Sequence, residues 1–194
     1  MSKRIFIIAV PDEVDTQTKI LGCNVIFGGV GKINATMAAY NAFAQGYDEV
    51  INIGSCGSVN IPVGEVVKVG NVYQDIDVTP LCNYGETPFE AVGRNKQVVI
   101  DTKSLISCFT TDYFYDEKQL GKYSKYYLEM IKKCSIFDME CFALAKICHR
   151  FNLKFQSYKW VSDNGDGSDW KENCRIGFKK TLDILSDEFK KERI

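Results

Sequence analysis

The chain has 194 residues, 45% hydrophobic and 12% aromatic, which suits one domain with a substantial core better than two small ones. Twenty-four basic and twenty-five acidic side chains leave a formal net charge of -1, so no global field would hold nucleic acid or an anionic membrane. A small-molecule partner is the expectation.

Residues 3–10 read as a buried strand, its apolar run after the basic start too short for a signal peptide, residues 23–27 as a second strand, and 49–53 as a third. Between the last two, residues 34–45 form an alanine-rich amphipathic helix, and this strand, helix, strand order predicts parallel neighbours in an α/β sheet. Residues 63–73, 97–101 and 105–109 add strand signal. Helices are expected over 117–134, 138–151 and 171–191, with a late central strand at 155–161. The stretch 75–95, rich in Pro, Gly, Asn and Thr, reads as a long loop, a feature that in compact domains is usually functional or disordered. No stretch approaches the roughly 20 apolar residues of a membrane span, so a cytoplasmic protein is expected. Eight cysteines form no CxxC pair and mostly sit in apolar runs, and His149 is the single histidine, a pattern of reduced core thiols rather than a metal centre.

Two glycine-rich segments stand where the carboxyl edge of such a sheet would be. Phe27-Gly28-Gly29-Val30-Gly31-Lys32 follows a strand and opens a helix, a place where backbone amides can hold an anion, although it matches neither a Walker loop nor GxGxxG. Gly54-Ser55-Cys56-Gly57-Ser58 is expected to end the next strand at the edge where open α/β sheets bind ligands. Glu13 follows the first strand. Glu140 opens a nearly apolar helix, where it could serve the helix dipole alone. Asp163, in Ser162-Asp163-Asn164-Gly165-Asp166-Gly167, closes an apolar strand, where it could be only a turn or cap residue. This cluster misses the EF-hand spacing for calcium.

With AVPDEV at 9–14, GGVGKINA at 28–35, INIGSCGS at 51–58, DVT and YGETP within 77–88, FTTDYFY at 109–115, FDMECFALAKICHRF at 137–151 and KWVSDNGDG at 159–167, the chain resembles the purine nucleoside phosphorylase/nucleosidase superfamily. Within it the similarity is greatest to the methylthioadenosine/S-adenosylhomocysteine nucleosidases. That resemblance implies a three-layer α/β/α domain with a central mixed β-sheet, acting without cofactor or metal on a purine nucleoside. It implies Glu13 as the acid activating water, Glu140 as the carboxylate on the ribose hydroxyls, and Asp163, supported by Ser162, as the acid protonating purine N7. Phe114 and Tyr115 would meet the base and Met139 the sugar, with Phe137, Lys159, Gly54, Ser55, Cys56 and Gly57 completing the substrate site. A homodimer is implied too, the partner's loop at about 78–89 closing the 5′ pocket.

The sequence departs from the pattern at three points. Lys159 stands where nucleosidases carry arginine, the interval from Glu13 to Gly28 is short enough to remove a helix and a hairpin, and Cys56 and Tyr115 resemble bacterial purine nucleoside phosphorylases. A phosphate-dependent phosphorylase and a nucleoside-binding protein without turnover are the competing readings, retention of all three acids arguing against the second.

Overall fold

A computed structural model describes residues 3–88 and 97–191. The first two residues and positions 89–95 of the expected loop, Phe89 among them, lie outside the described residues. The chain runs through β1 (Arg4–Ile8), β2 (Lys19–Ile20), β3 (Cys23–Phe27), α1 (Lys32–Ala44), β4 (Glu49–Gly57), β5 (Val66–Lys68), β6 (Asn71–Gln74), β7 (Gln97–Val99) and β8 (Ser107–Thr110). It continues through α2 (Lys125–Lys133), β9 (Ile136–Asp138), α3 (Cys141–Arg150), β10 (Lys154–Asp163) and α4 (Trp170–Lys191).

Alternation along the strands builds the layers. Ile5, Ile7 and Val50 face one side of the sheet, where Ala35, Ala38, Ala39 and Ala42 of α1 and Leu144 and Cys148 of α3 pack on them. Phe6, Ile8, Ile51 and Ile53 face the other, against Cys174, Phe178 and Leu185 of α4. The result is a mixed sheet between two helical layers. The alanine face of α1 permits close approach: a Cβ on Gly28 would stand 2.9 Å from Ala38 Cβ.

β1 pairs in parallel with β3 and β4, and β10 runs parallel to β4 from Lys154 opposite Glu49 to Asp163 opposite Gly57. A second branch, β9-β8-β6-β7, joins β4 where Gly57 pairs with Phe137. Glycine is required there, since a Cβ would fall 2.0 Å from Phe137 Cε2. The branch point thus sets an aromatic ring directly on backbone.

Several expected boundaries move, each for a local reason. The strand expected to end at residue 53 continues through the glycine-serine stretch to Gly57, because β10 pairs with it along that length. The run 63–73 divides into β5 and β6, which belong to different branches; at the break a Cβ on Gly70 would lie 2.1 Å from the Ser104 carbonyl oxygen. The helix expected over 117–134 splits into a 3₁₀ turn, Glu117–Lys122, and α2, which starts where the Ser124 hydroxyl accepts from the Tyr127 amide. Asp138 ends a strand, β9, that pairs with β8, and α3 begins only at Cys141. The short interval before Gly28 keeps a tight hairpin, β2-β3, turning through Leu21 and Gly22 at φ 48° and 82°.

No helix among the described residues is long and apolar enough to cross a membrane. All eight cysteines are free thiols; Cys23 is partly exposed and the other seven are buried.

Gly177 in α4 faces Trp160, and a Cβ there would stand 2.2 Å from Trp160 Cγ. Alanine in a helix interior normally stabilises by about 1 kcal/mol over glycine. Here overpacking should win, so Gly177→Ala is expected to lower the unfolding free energy by about 1–3 kcal/mol in urea titrations. An unchanged or raised midpoint would show that Trp160 yields without strain.

Candidate active site

The carboxyl ends of β1, β4, β8, β9 and β10 converge on one cleft, at the edge where open α/β sheets bind small molecules. Glu13, Glu140 and Asp163, far apart in sequence, all line it.

Glu13 sits in the one-turn 3₁₀ segment Pro11–Val14 that follows β1. Its Oε1 accepts from both the Ser55 amide and the Ser55 hydroxyl, each at 2.7 Å. Gly54 does not line the cleft; its missing side chain makes room for this carboxylate, since a Cβ would be 3.1 Å from Glu13 Oε1. Ser55, Cys56 and Gly57 line the cleft from β4.

Glu140 occupies the residue before α3, with Oε1 accepting from the Gly31 amide at 3.0 Å. The next amide, Lys32 N, donates to Asp112 Oδ1 at 3.1 Å, and Lys32 Nζ reaches the Asp75 carbonyl at 2.8 Å and Asp112 Oδ2 at 3.2 Å. The glycine loop read as an anion cradle therefore already holds the protein's own carboxylates. A second anion placed there would be repelled.

Asp163 closes β10. Oδ2 lies 2.8 Å from Ser162 Oγ, and Oδ1 accepts from the Gly165 amide at 3.0 Å. Adjacent residues of a regular strand point to opposite faces, yet Ser162 and Asp163 both line the cleft. A register irregularity between Val161 and Asp163 makes that possible. Gly165 lets Tyr115 approach, a Cβ there falling 2.8 Å from the ring.

Tyr115 and Phe137 are buried in the cleft wall, their rings edge-to-face with centroids 5.2 Å apart. Phe114 is 58% exposed at the rim, and Met139 lines the wall beside Glu140.

Lys159 does not line the cleft, which corrects its expected contact with substrate. It lies in β10 with its side chain in the interior, 1% exposed, and Nζ 2.8 Å from Asp138 Oδ2. Burial alone would push its ammonium toward neutrality, but Asp138 and Glu140 reverse this and hold it well above the ordinary lysine range. The charge acts from behind. Burial likewise drives the Glu140 carboxyl up, to about 7, against the lowering pull of Lys159, with Asp138 pushing the same way as burial. The Cys108 and Cys141 thiols and the Asp138 carboxylate lie within 4.8 Å of one another. That trio is a poor metal site, since Lys159 already supplies a positive charge to Asp138.

Two lining residues went unread in sequence. Asp138 accepts from the Cys141 amide at 2.9 Å and from Thr110 Oγ1 at 2.6 Å. An acid three residues before an apolar helical run is a capping signal and could have been found. Trp170, the first residue of α4, donates through Nε1 to Ser55 Oγ at 3.0 Å, which no local pattern announces.

The family model of the phosphorylase superfamily matches residues 16–191, a span that begins just after Glu13. A 5′-methylthioadenosine/S-adenosylhomocysteine nucleosidase of Buchnera aphidicola subsp. Acyrthosiphon pisum is 26% identical over 194 residues, covering 86% of this chain and 76% of that protein. Among solved structures, that nucleosidase from Streptococcus pneumoniae, with a transition-state inhibitor, matches with a TM-score of 0.72 at 22% identity, covering 92% of this chain and 96% of the other. Futalosine hydrolase of Helicobacter pylori matches with a TM-score of 0.77 at 15% identity, covering 96% and 98%.

Because Glu140 holds its proton to about 7 in the folded chain against an ordinary 4.5, the native state binds more protons than the unfolded one between these values. Stability is then lost as pH rises through that window. Raising the pH from about 5 to 8 should destabilise the parent more than Glu140→Gln, by on the order of 1–3 kcal/mol in paired denaturation curves. Equal pH slopes would return Glu140 to the ordinary carboxylates.

Proposed function

The chain belongs to the phosphorylase superfamily, and from that premise we propose that it hydrolyses the N-glycosidic bond of purine nucleosides, 5′-methylthioadenosine or S-adenosylhomocysteine first among them. The observation that carries hydrolysis is the lining of the cleft. Glu13, Glu140 and Asp163 contribute carboxylates, the Asp138 carboxylate being turned inward to Lys159, while no lysine or arginine among the described residues lines it. A phosphorylase must hold a doubly charged oxyanion beside the sugar, usually with arginine forks. In the phosphorylases that the sequence resembles, one such arginine stands at the position of Asn52. Here Asn52 is buried and bonded to the Ile7 carbonyl at 3.0 Å and to Ser157 Oγ at 2.9 Å.

In this reading Asp163 delivers a proton to purine N7, the electrons of the C1′–N9 bond pass into the base, and positive charge grows on the sugar. Glu13 takes a proton from the water that adds to C1′. Glu140 accepts hydrogen bonds from the ribose hydroxyls, which strengthen as the ring gains charge. Phe114 and Tyr115 stack against the base, and Met139 and Phe137 pack against the sugar. The chemistry needs no metal or organic cofactor.

We also infer a homodimer. Ile33, Met37 and Tyr40 form an exposed apolar stripe along α1, Ile33 being 82% exposed, and the exposed Val30, Tyr113 and Phe114 line the cleft. A partner covering this stripe would bring its loop at about 78–89 toward the 5′ end of the substrate. Sedimentation should give twice the chain mass for the parent and the single chain mass for Met37→Glu; a parent that sediments as one chain at micromolar concentration overturns the dimer.

The activity itself is tested with a panel of adenine nucleosides in phosphate-free buffer and with added phosphate. Free sugar and free adenine at a rate indifferent to phosphate are expected, and Asp163→Asn should abolish release while keeping the parent's thermal stability. Strict phosphate dependence with a sugar 1-phosphate product would move the chain to the phosphorylase reading. Turnover of Asp163→Asn within a few-fold of the parent would remove Asp163 from the leaving-group role.

A further inference from the structure

The hydrogen bonds around Glu13 are not symmetric, and their direction can be traced to one indole. Trp170 Nε1 is a donor with no acceptor capacity, and it lies 3.0 Å from Ser55 Oγ. The Ser55 hydroxyl has a single proton to give. Once its oxygen accepts from the indole, that proton is free to point at Glu13 Oε1, 2.7 Å away. The Ser55 amide donates to the same oxygen at 2.7 Å. Oε1 is thus held by two short donors, whereas among the described residues Oε2 meets the Val10 amide at a long 3.4 Å. The Cys174 thiol, one turn further along α4, also lies beside Ser55, but a thiol is a weak partner beside an indole N–H.

We propose that Trp170 is a positioning residue that orients the Ser55 hydroxyl toward Glu13 Oε1, which leaves Oε2 as the atom that takes the proton from the attacking water. The inference rests on the hydrolytic reading above and adds to it an atom and a residue. The proton passes from water to Oε2 as the water oxygen bonds to C1′, the C1′–N9 pair goes to the purine, and Asp163 supplies the N7 proton. Orientation of a base matters because proton transfer needs its lone pair in line at hydrogen-bond distance. α4 acquires a second task from this arrangement. Its body packs on the sheet through Phe178 and Leu185, while its first residue reaches the site through the indole edge.

The test pairs Trp170→Phe, which keeps an aromatic ring and removes the N–H, with Ser55→Ala and with the double variant. Trp170→Phe should lower kcat about five- to tenfold at unchanged KM, and in the Ser55→Ala background the same change should have no further effect on kcat, since the route to Glu13 is already cut. A fall of equal size in both backgrounds, or one confined to KM, would show a packing role and overturn the proposal. A readout independent of turnover is the indole N–H resonance of Trp170, assigned by its disappearance in Trp170→Phe. Ser55→Ala should move it upfield and hasten its exchange with solvent; an unmoved resonance also overturns the proposal. Absence of hydrolysis in the parent sinks the functional reading and this role with it, whereas an active parent with an indifferent Trp170→Phe sinks this role alone.

Discussion

The buried pair between Lys159 and Asp138 ties the site together. Both side chains are essentially inaccessible, and their charged atoms are 2.8 Å apart. Such a pair is tolerable only when the remaining hydrogen-bonding capacity is satisfied. Asp138 meets that demand, accepting from Thr110 Oγ1, the Cys108 thiol and the Cys141 amide as well as from Lys159. These partners come from β8, β10 and the start of α3, so one carboxylate fixes the angle at which two strands and a helix meet. Glu140 hangs from that junction. Its elevated proton affinity is a balance between the burial the junction imposes and the charge that Lys159 contributes.

The replacement of an arginine fork by lysine at position 159 gains meaning from this geometry. A guanidinium is planar and offers donors to two carboxylates at once, whereas an ammonium is a point charge on a flexible stem. Nζ is committed to Asp138, and its influence on Glu140 is through space. Glu140 takes its direct hydrogen bond instead from the Gly31 amide, so the glycine-rich loop does part of the orienting that a fork would do.

The core was legible from the sequence wherever one periodicity ran uninterrupted. The apolar runs at 3–10 and 49–53 marked buried strands and the alanine-rich stretch at 34–45 a helix between strands, while which residue faces which layer emerges only in the fold. Boundaries were lost where a tertiary contact overrode local preference. Nothing within 54–57 reveals that β10 will pair with it, and nothing in 66–74 reveals that its two halves will join different branches. Glu13 and Asp163 were found because each follows or closes an apolar strand and Glu140 because it opens an apolar helix, while their roles came from the family resemblance. Lys159 was assigned to the substrate through the family resemblance alone, whereas its burial depends on a partner in another strand, Asp138, and the bond from Trp170 to Ser55 spans 115 positions.

The distribution of the thiols has a practical side. Cys148 lies in the layer of α1 and α3, Cys174 under α4, Cys56, Cys108 and Cys141 in the junction core, and Cys134 in the aromatic cluster around α2. Each is a natural latch that alkylating reagents can reach only when its own layer opens. Timed labelling read by mass would thus record, without any introduced probe, the order in which the layers of this molecule come apart, with the partly exposed Cys23 as an internal clock for the reagent.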